Sequence, residues 1–203
     1  IKGFQGDTKN DLSKVNTIAA CAKHFAAYGF AEAGRDYNTV DMSNSILYNI
    51  VLPPFQAASE AGIRTFMNSF NILNGIPATG SSFLQRDILK GKWKFDGFVV
   101  TDWGSIKEMI THGYAKDGKE AAEKDVKAGS DMDMESNNYV NDLVTLVKEG
   151  KVNESLIDDA ARRILRVKFE LGLFDDPYKY CDEKREKAII GSKANNDGVL
   201  DMA

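Results

Sequence analysis

Polar residues stand wherever a run of apolar residues stops. Lys23 and His24 follow IAACA, Asn68 and Asn71 lie in and after TFMNSF, Asp102 and Trp103 follow FVVT, and Asp131 and Asp133 sit in GSDMDM. Together they offer carboxylates, an ammonium, an imidazole and an indole. That set suits a sugar, whose hydroxyls take paired hydrogen bonds from Asp, Lys and His and whose C–H face packs on an aromatic ring such as Trp103. A carboxylate held against an anomeric carbon can also act as a nucleophile, giving a covalent glycosyl-enzyme that water later hydrolyses. Asp102, where a strand buried on both faces leaves the core, is the candidate for that role.

Each position has a plainer reading. An Asp after a strand commonly caps the next helix. Lys23-His24 could be a surface pair, Trp103 a core residue, and Asp131 and Asp133 loop solvation or a second helix cap. His112, in a Thr-His-Gly turn, reads as structural.

The elements that must position these groups follow from periodicity. Strands are expected at 18–25, at 63–70 and within WKFDGFVVTDW, with a short fourth strand at 129–134. Helices are expected over 43–61, where Pro53-Pro54 must interrupt or restart the helix, and over 82–90, 119–128, 139–149 and 154–171. Asn153 or Ser155 would cap the last and Gly172 would stop it. The loop NILNGIPATG is dense in turn residues. Alternating strands and helices argue for an α/β fold with parallel strands, either a doubly wound sheet or a (β/α)8 barrel. Four such units make half of a barrel whose usual length is about 250 residues. After Leu173 the pattern decays into a charged stretch, so 1–173 reads as part of a barrel domain and 174–203 as a linker.

Composition narrows the classes of function. The 203 residues are 43% hydrophobic and 28% charged, an ordinary globular balance. With 26 basic against 30 acidic residues and no basic block, a nucleic-acid partner is disfavoured. No stretch approaches the roughly 18 to 20 apolar residues of a membrane span. Cys21 and Cys181 form neither a disulfide framework nor a metal-ligand spacing, and no His/Cys cluster suggests a metal; no cofactor is expected.

Six segments in order carry a resemblance: AKHF, GRDYNTVDMS, PPFQAASEAG, TFMNSFNILNGIPAT, GFVVTDWGS and AARRILRVKFELGLFDDPY. Together they resemble glycoside hydrolase family 3, especially its bacterial periplasmic β-glucosidase branch, from about Val15 to Tyr178. The resemblance implies the C-terminal half of a TIM-like (β/α)8 barrel and a retaining, exo-acting β-glucosidase. It implies Asp102 as nucleophile, Lys23 and His24 as ligands of sugar hydroxyls in the −1 subsite, Trp103 at the entrance and Met67 in the pocket wall. Phe70 stands where some members have a tyrosine, so the hydroxyl that would orient the carboxylate is lost or replaced. Arg35 and Asp36, in the polar GRDYNT loop, are further candidates. The resemblance also implies partners within a longer chain: an upstream barrel half with sugar-gripping residues, and a downstream α/β sandwich domain holding the acid/base. A β-glucoside or oligosaccharide substrate and a periplasmic or secreted location follow from the same source. β-Xylosidase, exo-glucanase and N-acetylhexosaminidase activities, or a sugar-binding barrel without the acid, are the alternatives.

Overall fold

The computed structural model describes residues 1–203, apart from the side chains of Lys9 and Asn10. Three parallel strands form its centre: β1 (Cys21–Phe25), β3 (Thr65–Asn68) and β6 (Phe98–Val100), with β3 in the middle. Cys21 pairs with Thr65, Thr65 with Phe98, and Met67 with Val100, after which Val100 bridges to Met132 in the same parallel sense. Four neighbouring strand positions therefore follow chain order without reversing. A doubly wound sheet reverses its order at a switch point, whereas a barrel does not. The fold is α/β and singly wound, part of a barrel.

The strands are shorter than their apolar runs suggest. Residues 18–20 and 63–64 lie outside them, and the expected fourth strand is reduced to the single Met132 bridge. Hydrophobic runs record burial, while strand length is set by which backbone groups find a neighbour. In β1 the register shifts between Ala22 and Phe25, and the Lys23–His24 and Phe25–Ala26 peptide bonds are cis.

A second, small sheet was not foreseen. β2 (Thr39–Val40) pairs parallel to β4 (Ile72–Leu73), which folds back on β5 (Ile76–Pro77). The signal lay in Asn74-Gly75, whose φ values of 49° and 85° suit a tight hairpin turn. The 43–61 segment stays helical throughout: Asn44–Ile46 runs into a π-helical turn, Leu47–Val51, and then into Leu52–Glu60. Pro53 and Pro54 fall in the first turn of that last piece, where missing N–H groups cost least, so they restart the helix and do not break it. The helix Ser105–Thr111 was also missed, being only seven residues long.

One face of the strands packs Phe25, Phe66 and Val99, all fully buried, against Leu47, Leu52, Leu84, Ile88 and Leu89 of the flanking helices. The rings of Phe25 and Phe66 meet edge to face at 5.5 Å. Each such side chain contributes about 1.5–3 kcal/mol by leaving water. At the N-terminal ends of the strands the buried Arg64 pairs with Asp96 at 2.8 Å and donates to Glu170 Oε1 at 3.1 Å, and Arg163 donates to the carbonyls of Phe95 and Gly97. These bonds fasten the helix Glu154–Glu170, capped by Asn153 as expected, to the end of the barrel away from Asp102. Residues 174–203 carry two short helices, Glu183–Ile189 and Lys193–Met202, with no buried residue in either.

Asp131 corrects the sequence reading. It neither solvates a loop nor caps a helix: its Oδ1 lies 2.6 Å from Lys90 Nζ and its Oδ2 accepts from the Val99 N–H at 2.8 Å, all buried. Burial raises the Asp131 carboxyl and lowers the Lys90 ammonium, against their mutual attraction. Lys90→Met leaves the carboxylate without its cation, and the expected loss in urea unfolding is about 3–5 kcal/mol. Without Lys90 the folded carboxyl titrates still higher above its unfolded value, so the loss is larger at about pH 8 than at about pH 5; equal losses at both would show that the charge is not the cause.

Candidate active site

The parallel strands all end on one side, and the chain that leaves β6 there places Asp102 and Trp103 next to the end of β1. Gly104 turns the chain into the helix Ser105–Thr111 with a left-handed φ of 66°, a conformation that favours glycine, and its N–H donates to Met134 O. Asp102 is buried and its side chain caps no helix. Its Oδ1 instead accepts from the Trp103 N–H at 2.7 Å. Oδ2 lies 3.3 Å from His24 Nε2, within ion-pair range but without hydrogen-bond geometry, and is buried with no hydrogen-bond partner among the described residues. One carboxylate oxygen is therefore held and the other is unengaged.

Not every expected residue converges equally on this point. His24 does so directly. Lys23, its neighbour, is exposed and has no ion-pair or hydrogen-bond partner among the described residues. Met67 is half-buried on β3, on the face opposite Phe66, in register with Val100. Trp103 is 64% exposed, so the core reading fails and its indole is open to solvent beside the carboxylate.

Phe70 packs between two tyrosines, its ring 4.6 Å from Tyr37 and 6.0 Å from Tyr28. Tyr28 stands edge-on to His24 at 5.3 Å and donates its hydroxyl to Asp36. Burial, reinforced by Asp36, raises the Tyr28 phenol. Tyr28, Arg35 and Asp36 also line a cavity of about 380 Å³. The GRDYNT loop thus belongs to the same region as Asp102, and an aromatic wall stands where a tyrosine hydroxyl is absent.

Several contributors were not foreseen. Burial raises the Glu108 carboxyl, and the negative charges of Asp102 and Asp36 add to the effect, placing Glu108 within the field of the site. Behind Asp102, Asn68 Oδ1 accepts from the Asp102 N–H at 3.1 Å, and Asn68 Nδ2 donates to Ser130 Oγ at 3.1 Å. Ser130 Oγ lies 2.5 Å from Asp125 Oδ1, and Asp125 Oδ2 accepts from the Tyr139 hydroxyl at 2.7 Å. Burial pushes the Asp125 carboxyl up to about 7, although both hydroxyls oppose the shift. Only Asn68 of this set was visible as a strand-end polar residue. Asp133 accepts from the N–H of Tyr139 at 3.2 Å and so serves the start of the helix Asn138–Lys148. Among the described residues no His/Cys/Asp/Glu cluster could hold a metal, no helix is long and apolar enough to cross a membrane, and Cys21 and Cys181 are free thiols.

The fold and site thus define a singly wound parallel barrel segment with a carboxylate, an imidazole and aromatic rings at its strand ends. The model of the glycosyl hydrolase family 3 N-terminal domain matches residues 1–167, and this chain belongs to that family. A periplasmic β-glucosidase of Salmonella typhimurium is 44% identical over 93% of this chain and 24% of its own length. A putative β-xylosidase of Formosa agariphila is 35% identical over 98% of this chain and 26% of its own length. The crystal structure of a β-glucosidase from Listeria innocua in complex with glucose superposes with a TM-score of 0.92 at 45% identity, covering 97% of this chain and 27% of that one. The chain thus spans about a quarter of the length of these relatives.

Burial lowers the His24 imidazole below its ordinary 6.5; the Asp102 charge opposes the shift and Lys23 adds to it. Neutral His24 therefore favours the fold, a contribution present at higher pH and lost as pH falls through the lowered value. In a histidine NMR titration, Asp102→Asn should move the His24 midpoint further down and leave His112 in place. An unmoved His24 would show that the two side chains are not coupled.

Proposed function

We propose that this chain carries the nucleophile and part of the sugar-binding pocket of a retaining, exo-acting β-glucosidase. The observation that supports this most directly is the state of Asp102: a buried carboxylate at a strand end, one oxygen fixed by a backbone N–H and the other unengaged beside His24. In this reading Asp102 Oδ2 attacks the anomeric carbon through an oxocarbenium-like transition state. The aglycone leaves with a proton from a carboxylic acid roughly 5 to 5.5 Å away, which then activates the water that releases the sugar with retained configuration. Lys23 and His24 grip sugar hydroxyls, Lys23 through charge-assisted bonds for which its ammonium is free. Met67 lines the pocket, and Trp103 offers its exposed indole at the entrance. The mechanism requires neither metal nor cofactor.

The acid/base is assigned to another part of a longer protein, in line with the quarter-length coverage of the relatives. Residues 1–173 serve as the C-terminal portion of the barrel, and 174–203, with their exposed helices, as the linker towards an α/β sandwich domain. Export to the periplasm or the exterior is inferred from the Salmonella relative. The Formosa relative supports a second reading, β-xylosidase on the same scaffold, since a pentose differs only by the missing hydroxymethyl group.

Two measurements test this. The full-length enzyme treated with a 2-deoxy-2-fluoro-glucoside bearing a good leaving group should yield a glycosyl adduct on the peptide containing Asp102, and Asp102→Asn should lower kcat by at least about a thousandfold. An active enzyme labelled elsewhere would sink the assignment. A kcat/KM for aryl xylosides above that for aryl glucosides would select the second reading.

A further inference from the structure

The polar chain behind Asp102 is unusual in its placement. Asn68, Ser130 and Asp125 are each buried to within a few per cent, and they connect the end of β3, the segment beside β6 and the helix Gly118–Ala128. We propose that Asn68 is a positioning residue for Asp102, and that Ser130 and Asp125, braced by Tyr139, set the direction in which its amide points. The inference rests on the nucleophile reading above.

The argument is one of donors and acceptors. The Asp102 N–H can only donate, so Asn68 must turn Oδ1, and not Nδ2, towards it at 3.1 Å. Nothing in the shape of an amide enforces that choice, because its two ends are nearly the same size. The choice is enforced at the other end, where Nδ2 faces Ser130 Oγ. Ser130 has one hydrogen and two acceptors for it, Asp125 Oδ1 at 2.5 Å and Gln85 Oε1 at 3.0 Å; whichever takes it, a lone pair of Oγ is left for Asn68 Nδ2. Ionised, Asp125 takes the Ser130 hydrogen and accepts the Tyr139 hydroxyl on its second oxygen; protonated, it leaves the Ser130 hydrogen to Gln85 Oε1, so Asn68 Nδ2 keeps its acceptor in either state. A flipped Asn68 would set Nδ2 against the Asp102 N–H, donor against donor.

Thr79 Oγ1, at 3.2 Å, also faces Asn68 Oδ1, and it lies 3.0 Å from Ser105 Oγ in the helix that follows Trp103. The amide thereby ties the strand end that carries Asp102 to the helix that leaves it. A network needed only for cohesion could sit anywhere between the elements; this one ends on the backbone N–H of the proposed nucleophile. Reaction rates are sensitive to such placement, since a shift of about 1 Å in a reacting group can cost about a hundredfold.

The test uses the full-length enzyme and 2-deoxy-2-fluoro-glucoside inactivation, which separates the dissociation constant of the unreacted compound from the rate constant of glycosylation. Asn68→Leu, of similar size, should lower the rate constant by about a hundredfold, and Ser130→Ala, which keeps Asn68 but removes its director, by about tenfold. The dissociation constant should move by less than about threefold in both, because the sugar-gripping residues are untouched. Ser130→Ala removes a single oxygen and carries the test if Asn68→Leu does not fold. Labelling of Asp102 at an unchanged rate in folded Ser130→Ala would overturn the positioning role alone. So would a parallel loss of binding and rate. Labelling of another residue in the unmodified enzyme would overturn the nucleophile reading, and this inference with it.

Discussion

A parallel strand covered on both faces has no solvated side on which to put polar groups. Its interior must be apolar, and any polar side chain within it must meet a partner, because an unpaired buried donor or acceptor costs about 1–3 kcal/mol. β3 obeys this constraint most strictly, since it lies between β1 and β6. Phe66 fills the face towards the helices, and the one amide the strand carries, on Asn68, is spent on hydrogen bonds at the strand end. The separation of an apolar layer from a polar rim follows from that requirement.

The two ends of the strands serve opposite purposes under the same rule. At the N-terminal end, Arg64 and Arg163 are consumed by carboxylates and carbonyls that fasten the final long helix. At the C-terminal end, Asp102 keeps an unengaged oxygen and Trp103 an open face. Lys90 and Asp131 lie between, a buried pair in which the carboxylate also takes the place of a strand neighbour for the Val99 N–H. In barrel enzymes stability and chemistry are divided between the two faces in this manner. Asp102 and Asp131 are chemically identical; they differ in that both Asp131 oxygens are engaged, by Lys90 and the Val99 N–H, whereas Asp102 Oδ2 has no hydrogen-bond partner among the described residues.

The family of this chain and the exposed aromatic rings near Asp102 belong together physically. Trp103 and Tyr37 present exposed rings beside hydrogen-bonding groups, with the buried Phe70 packed against Tyr37, an arrangement that matches the alternating C–H and O–H of the sugar proposed as substrate. Phe70 supplies no hydroxyl, yet the Asp102 carboxylate is oriented all the same by the N–H of the next residue. The backbone does here what a side chain would do elsewhere.

The strand-helix alternation, the strand-end positions of His24, Asn68 and Asp102, and the family itself were legible in the residues, because each is local in the chain and periodicity and short motifs record burial and type. Strand lengths and the β2–β4–β5 sheet were not, because they depend on which backbone groups find neighbours. The sequence set Asp102 apart as the candidate nucleophile but could not show that Asp131 is paired with a lysine 41 positions away. Nor could it connect Asn68 to Ser130 and Asp125, contacts that span 62 and 5 positions. Side-chain identity determined which chemistry was available at the barrel rim. Only the tertiary structure decided which carboxylate would be neutralised and which left free, because charge compensation and hydrogen-bond direction are properties of neighbours in space.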